Sequence, residues 1–128
     1  MTSLKEIEKL IQNGELEAAQ KKTESLQATK STKLAVLASI ALKSGEFQKS
    51  EVLFESALRE DKNNILAVGN YGQLLVSQKQ FIRALPYCEK VHLKEQKHEG
   101  YLLNYVACLA HIDKFNKAIE VTKNFIDN

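Results

Sequence analysis

Asn70 and Asn104 stand 34 residues apart, at the same place in successive copies of a recurring pattern. A primary amide both donates and accepts a hydrogen bond, so two amides held in line suit a peptide backbone read without regard to its side chains. The remaining groups that could do chemistry form no constellation. His92, His98 and His111 occur without an HExxH, a GxSxG, a glycine-rich phosphate loop or a spaced Cys/His quartet. Each reads as a solvated loop or helix-end histidine rather than a metal ligand. Glu55 with Glu60 and Asp61, or Glu51 with Glu55, can be drawn as carboxylate pairs, but they lie among Lys49, Arg59 and Lys62. They read as solvated faces with i,i+4 support, because nothing in the sequence would raise a carboxyl pKa for proton transfer. Cys88 and Cys108 are too few and too far apart for a disulfide framework or a CxxC metal pair. Both fall on apolar helix positions, which predicts buried free thiols in a reducing compartment. No enzyme activity, no metal and no cofactor is expected.

The elements that position these residues are helical. The chain has 128 residues, 44% of them hydrophobic, which is enough to bury a core. One proline and five glycines punctuate it, and Ala, Leu, Lys, Glu and Gln favour helix. The 18 basic and 16 acidic residues are mixed, so the net charge of +2 gathers no field for nucleic acid or a lipid surface. The N-terminus Met1-Thr2-Ser3-Leu4-Lys5-Glu6 lacks the apolar core of a signal peptide, and no apolar run approaches the ~18 residues of a membrane span. A cytoplasmic protein with no nucleic-acid or membrane partner is the expectation.

The clearest stretch is Ser31 to Asn64. Two amphipathic segments, Thr32 to Lys43 and Phe47 to Arg59, flank the turn Ser44-Gly45-Glu46. Ahead of it, Leu4, Ile7, Leu10 and Ile11 recur on one face behind Ser3 and Glu6, which have capping-box spacing. Asn13-Gly14 ends that helix, and Glu15 to Gln27 makes a second with Leu16, Ala19 and Leu26 inward. The turns Gly14-Glu15-Leu16, Gly45-Glu46-Phe47, Lys79-Gln80-Phe81 and Asp113-Lys114-Phe115 follow one another at spacings of 31, 34 and 34. Small residues recur at Ala38, Gly72, Ser50, Ala84 and Ala118, where paired helices must approach closely as they cross. Pro86 falls inside the second helix of the third copy, where it predicts a kink or a late helix start.

This period resembles the tetratricopeptide repeat over essentially the whole chain, Leu4 to Asn128. The places of the repeat pattern hold Leu34, Leu37, Ala38, Ala41, Ser50, Phe54 and Ala57 in the second copy. They hold Val68, Tyr71, Gly72, Leu75, Ala84 and Cys88 in the third, and Leu102, Tyr105, Val106, Leu109, Ala118 and Thr122 in the fourth. Departures are Lys62 and Gln96 in place of the frequent inter-unit proline, Val106 in place of a small residue, and Ser3 and Glu6 where bulk is usual. The resemblance implies an all-α, right-handed α-solenoid of four helix-turn-helix hairpins, eight helices forming one domain. The units run approximately over 2–30, 31–64, 65–98 and 99–128.

The resemblance also implies a concave groove formed by the first helix of each hairpin. Lys5, Glu8 and Gln12 would line it, then Ala35, Ser39 and Lys43, then Gly69, Asn70, Gln73 and Ser77, then Leu103, Asn104, Ala107 and His111. Of these, Ser39, Lys43, Asn70, Gln73, Ser77, Asn104, Ala107 and His111 are the candidate peptide contacts. The Asn70/Asn104 pair is similar to the asparagine ladder of the O-linked N-acetylglucosamine transferase repeats, although Val36 and Lys5 hold that place in the first two copies. A capping or structural amide is the competing reading. A carboxylate clamp of the chaperone co-factor kind does not fit. Ala35, Ser39, Gly100 and Asn104 stand where its Lys, Asn, Lys and Arg would be, and a carboxylate would find no fixed cation.

The implied function is a non-catalytic protein-interaction scaffold that takes a peptide or helix. The alternative is the substrate-recruiting N-terminal segment of a larger enzyme such as a glycosyltransferase or sulfotransferase. The final helix, Phe115 to Asn128, is expected to display Ile119, Val121, Phe125 and Ile126, which points to a continuing chain, to a homodimer through that helix, or to side chains that turn inward enough to suffice.

Overall fold

The computed structural model describes residues 2–128. Eight α-helices order the described residues: α1 Leu4–Gln12, α2 Leu16–Glu24, α3 Lys30–Lys43, α4 Phe47–Glu60, α5 Ile65–Ser77, α6 Phe81–Lys94, α7 Glu99–His111 and α8 Phe115–Asp127. They alternate as four hairpins, as the 34-residue period predicts. The chain divides into two compact units, Met1–Ala67 and Val68–Asn128.

One backbone device makes all four hairpin turns. Gly14, Gly45, Lys79 and Asp113 take the left-handed conformation, with φ of 79°, 80°, 58° and 63°. Their own N–H groups return to Ile11, Leu42, Val76 and Ala110. The next N–H groups, of Glu15, Glu46, Gln80 and Lys114, return to Leu10, Ala41, Leu75 and Leu109 at 2.8–2.9 Å. This pair of bonds is the Schellman motif, which satisfies helix-end carbonyls and turns the chain directly into the second helix.

The first helices begin differently, on a side-chain cap. Ser3 Oγ accepts from the Glu6 N–H, Thr29 Oγ1 from Thr32, Asn64 Oδ1 from Leu66 and Ala67, and His98 Nδ1 from Tyr101. The capping box at Ser3 is only half formed. The Glu6 carboxylate leaves the cap to accept from Lys22 Nζ at 2.7 Å, and that hydrogen bond holds its carboxyl below the usual range.

In the first unit, Ile7, Ala19, Leu26, Val36 and Ile40 form a core over which Leu4, Leu10, Ile11 and Leu16 close. Burying one such aliphatic side chain contributes about 1.5–3 kcal/mol. A second cluster joins Ala35, Ala57 and Ala67. Small residues do mark the crossings. Ser50 is fully buried and donates to the Ala38 carbonyl at 2.8 Å, and Ser31 donates to Ala57 at 2.8 Å while accepting from Asn64.

In the second unit the equivalent close approach is made by Gly72, where an added Cβ would stand 3.1 Å from Cys88 Sγ. Tyr71 and Tyr87 rings lie 4.9 Å apart, and Arg83 donates to the Tyr71 hydroxyl. Three contacts at helical spacing seam α6 to α7. The Phe81 and His111 rings stack at 3.7 Å, Cys88 and Cys108 sulfurs meet at 3.9 Å, and the His92 and Tyr105 rings lie 5.6 Å apart. Tyr105 donates to Glu89 at 2.9 Å, and burial together with that carboxylate pushes its hydroxyl up to about 12.

One expectation is corrected here. Helix α6 starts at Phe81 and runs through Pro86, so the proline marks no late start. It forgoes one hydrogen bond to the carbonyl of Ile82, a residue on the exposed side of the helix. The two thiols are buried and free as expected, and the side-by-side packing of α6 and α7 brings them into contact.

Candidate binding surface

In the second unit α5 and α7 are neighbours, and the fit between them is set by Gly69. A Cβ there would stand 2.8 Å from Cε1 of Tyr101 and 3.0 Å from its hydroxyl. Tyr101 is itself held by stacking on His98 at 3.8 Å, the histidine that caps α7. Beside this contact lie Asn70 on α5 and Asn104 on α7, both half-buried. One turn further along, Gln73 is exposed and Ala107 half-buried; beyond them Ser77 and His111 are exposed.

The groups differ in how freely they can meet a ligand. Ser77 donates its hydroxyl to Leu74 in its own helix at 2.7 Å, leaving the oxygen lone pairs available. His111 is brought onto Phe81, the planes 4° apart, so one ring face is covered and its edge remains. In the first unit Ser39 is half-buried and donates to Ala35 at 3.0 Å, while Lys43 is exposed in the last turn of α3. Lys5, Glu8 and Gln12 are exposed on α1.

Two residues expected to line a groove do not. Ala35 is fully buried against Ala57 and Ala67, and Gly69 is covered by the Tyr101 ring. Each is small because the next first helix presses on it. The place held by Asn70 and Asn104 holds Val36 in α3, which is buried in the core. Both asparagines therefore sit at the lip between core and surface, where an amide can serve either. The last helix also differs from expectation. Val121 is buried and Phe125 half-buried, while Phe115, Ile119 and Ile126 are exposed.

A separate cavity of ≈ 310 Å³ opens between the ends of α6 and α8, lined by His92, Gln96, Lys97, Asn124, Phe125 and Asn128. His92 is buried and its Nδ1 lacks a hydrogen-bond partner; burial pushes its imidazole below the usual histidine range. Among the described residues no cluster of three or more metal-ligating side chains occurs, and no helix is long and apolar enough to cross a membrane.

No family model matches the chain, and no curated protein matches it. Solved structures do. The chain is similar to MamA from Desulfovibrio magneticus RS-1, residue 41 to the end, at 18% identity and a TM-score of 0.75, covering 94% of this chain and 70% of that one. It is similar to MamA MSR-1 at 18% identity and a TM-score of 0.75, covering 90% and 68%. A MamA point mutant gives 17% identity and a TM-score of 0.79, covering 93% and 71%. At such identities the likeness shows the fold, an all-α, tetratricopeptide-like array of helix hairpins.

Proposed function

We propose that this chain is a non-catalytic protein-interaction module that takes an extended peptide or a partner helix on the exposed face of its first helices. The observation that carries the reading is the ordering of polar groups on α5 and α7. Asn70, Gln73 and Ser77 descend one helix, Asn104, Ala107 and His111 occupy the same places on its neighbour, and Gly69 and Tyr101 hold the two helices together. Ser39 and Lys43 repeat the lower two places on α3. Amides, a hydroxyl and an imidazole edge in two parallel rows match the alternating donors and acceptors of a peptide backbone, and the near-neutral lining sets no charge requirement on the ligand.

The test is selection of a random linear-peptide library on the intact chain, followed by calorimetry of the selected peptides. Changing Asn70 and Asn104 together to Ala should weaken binding about tenfold or more, the loss of two amide contacts at roughly 1 kcal/mol each. Helical CD and melting should be nearly unchanged. Equal affinity in that double variant removes the two asparagines from the reading.

A further inference from the structure

Cys88 and Cys108 are the two cysteines of the chain, and the packing of α6 on α7 sets their sulfurs 3.9 Å apart, between the Phe81/His111 and His92/Tyr105 contacts of the same seam. Both are free and buried, at 1% and 0% exposure. The repeat does not ask for sulfur at either place. The Cys88 place holds Phe54 in α4 and Thr122 in α8, and the Cys108 place holds Ile40 in α3 and Leu74 in α5. Other side chains pack there, so two thiols in contact carry a chemistry that the fold leaves optional. Gly72 adds a constraint. A Cβ at that position would stand 3.1 Å from Cys88 Sγ, so α5 also closes on this sulfur and holds it in place.

We propose that this pair is a redox-sensitive clasp, closed into a disulfide between Cys88 and Cys108 by exchange with a low-molecular-mass disulfide such as glutathione disulfide. The thiolate of one cysteine attacks that disulfide, forming a mixed disulfide and releasing one glutathione thiolate. The thiolate of the other then attacks the cysteine sulfur of the mixed disulfide and releases the second. The two thiol protons end on the two glutathiones, whose disulfide is reduced by two electrons as the protein pair is oxidised by two. The geometry favours the closing step. A disulfide holds its sulfurs about 2 Å apart, so each must advance about 1 Å, which rotation about its own Cα–Cβ bond supplies with both helices in place. Burial governs the rate and not the equilibrium: glutathione meets the thiols when α7 lifts from α6, and the linked pair is held once the helices close again. The link spans the turn between α6 and α7, joining positions 20 residues apart, and so removes freedom from the unfolded chain.

Equilibrating the intact chain in glutathione buffers of graded ratio, quenching with acid and counting free thiols by mass spectrometry tests this. The folded chain should favour the linked form about a hundredfold more than the same chain unfolded in urea, because a bond that stabilises the fold is stabilised by it to the same extent. Trypsin should then release residues 84–90 joined to residues 98–114. The linked chain should melt about 10 °C above the reduced one, and dithiothreitol should reverse both changes. Cys108→Ser should take up one glutathione at Cys88 with no such rise. The wild-type ratio decides the matter even if the serine variant folds poorly. A folded chain that favours the link no more than the unfolded one overturns the proposal, as does a product of two chains joined, or mixed disulfides at both cysteines in place of the link.

Discussion

Gly69 and Tyr101 are a matched pair: the space a side chain at 69 would fill is already occupied by the tyrosine ring, 2.8 Å from where a Cβ would stand. One period earlier the same two places hold Ala35 and Ala67, in contact with Ala57. Size is thus traded between the two helices, a large residue on one side requiring none on the other. Gly69→Ala gains up to about 1 kcal/mol of helix propensity but overpacks against a ring fixed on His98, at about 1–3 kcal/mol. We expect a net loss near 1 kcal/mol in urea unfolding. Gly69→Ala with Tyr101→Ala should recover it relative to Tyr101→Ala alone, giving a coupling of about 1–2 kcal/mol in the double-mutant cycle.

The hairpin turns offer a stabilising change. Lys79 and Asp113 hold the left-handed place that Gly14 and Gly45 hold in the first unit. A side chain there costs about 1–2 kcal/mol, and glycine's greater freedom in the unfolded chain returns about 0.5–1 of that. Lys79→Gly and Asp113→Gly should each stabilise by about 0.5 kcal/mol. Gly45→Ala should destabilise by about 1 kcal/mol, read as a shift in the urea midpoint at constant slope.

Ser50 makes a buried polar contact at the crossing of α3 and α4, as Ser31 does with the Ala57 carbonyl nearer the start of α3. Ser50 is fully buried, and its hydroxyl donates to the Ala38 carbonyl. Ser50→Ala should cost about 1 kcal/mol. Ser50→Leu, which must force the helices apart, should cost about 1–3 kcal/mol or more. A larger effect for Ala than for Leu would mean that the hydrogen bond, not the close approach, sets the crossing.

Acid should weaken the second unit through His92. Burial holds its imidazole below the ordinary value of 6.5, so the unfolded chain takes up a proton more readily than the folded one. The folded state is therefore favoured most above 6.5 and loses stability as pH falls through that value toward the lowered one. Lys97, in the same cavity, and Tyr105, whose ring lies beside it, are the titratable groups that face it. His92→Leu, which copies Leu58 at the equivalent place, should flatten that part of the melting-temperature profile. An unchanged slope would show that the acid sensitivity comes from elsewhere.

Much of this was legible before any coordinates. The turn triplets fell on the left-handed residues because glycine at 14 and 45 marks a helix end and the period carries the mark to Lys79 and Asp113, where no residue type announces it. The small residues at Ala38, Ser50, Gly72 and Ala84 marked the crossings. What failed was the direction of single side chains. At 100° per residue, neighbouring positions differ by a quarter turn, so periodicity could not separate Asn70 from Gly69 or Ile126 from Phe125. The contact of Cys88 with Cys108 was equally out of reach, since it depends on how α6 lies against α7 and not on spacing.

The binding reading is tested most directly by mapping amide chemical shifts of the labelled chain as a library-selected peptide is titrated in. Changes should concentrate on residues 70, 73, 77, 104, 107 and 111 of α5 and α7. Shifts confined to α8, or to the cavity beside His92, would contradict it.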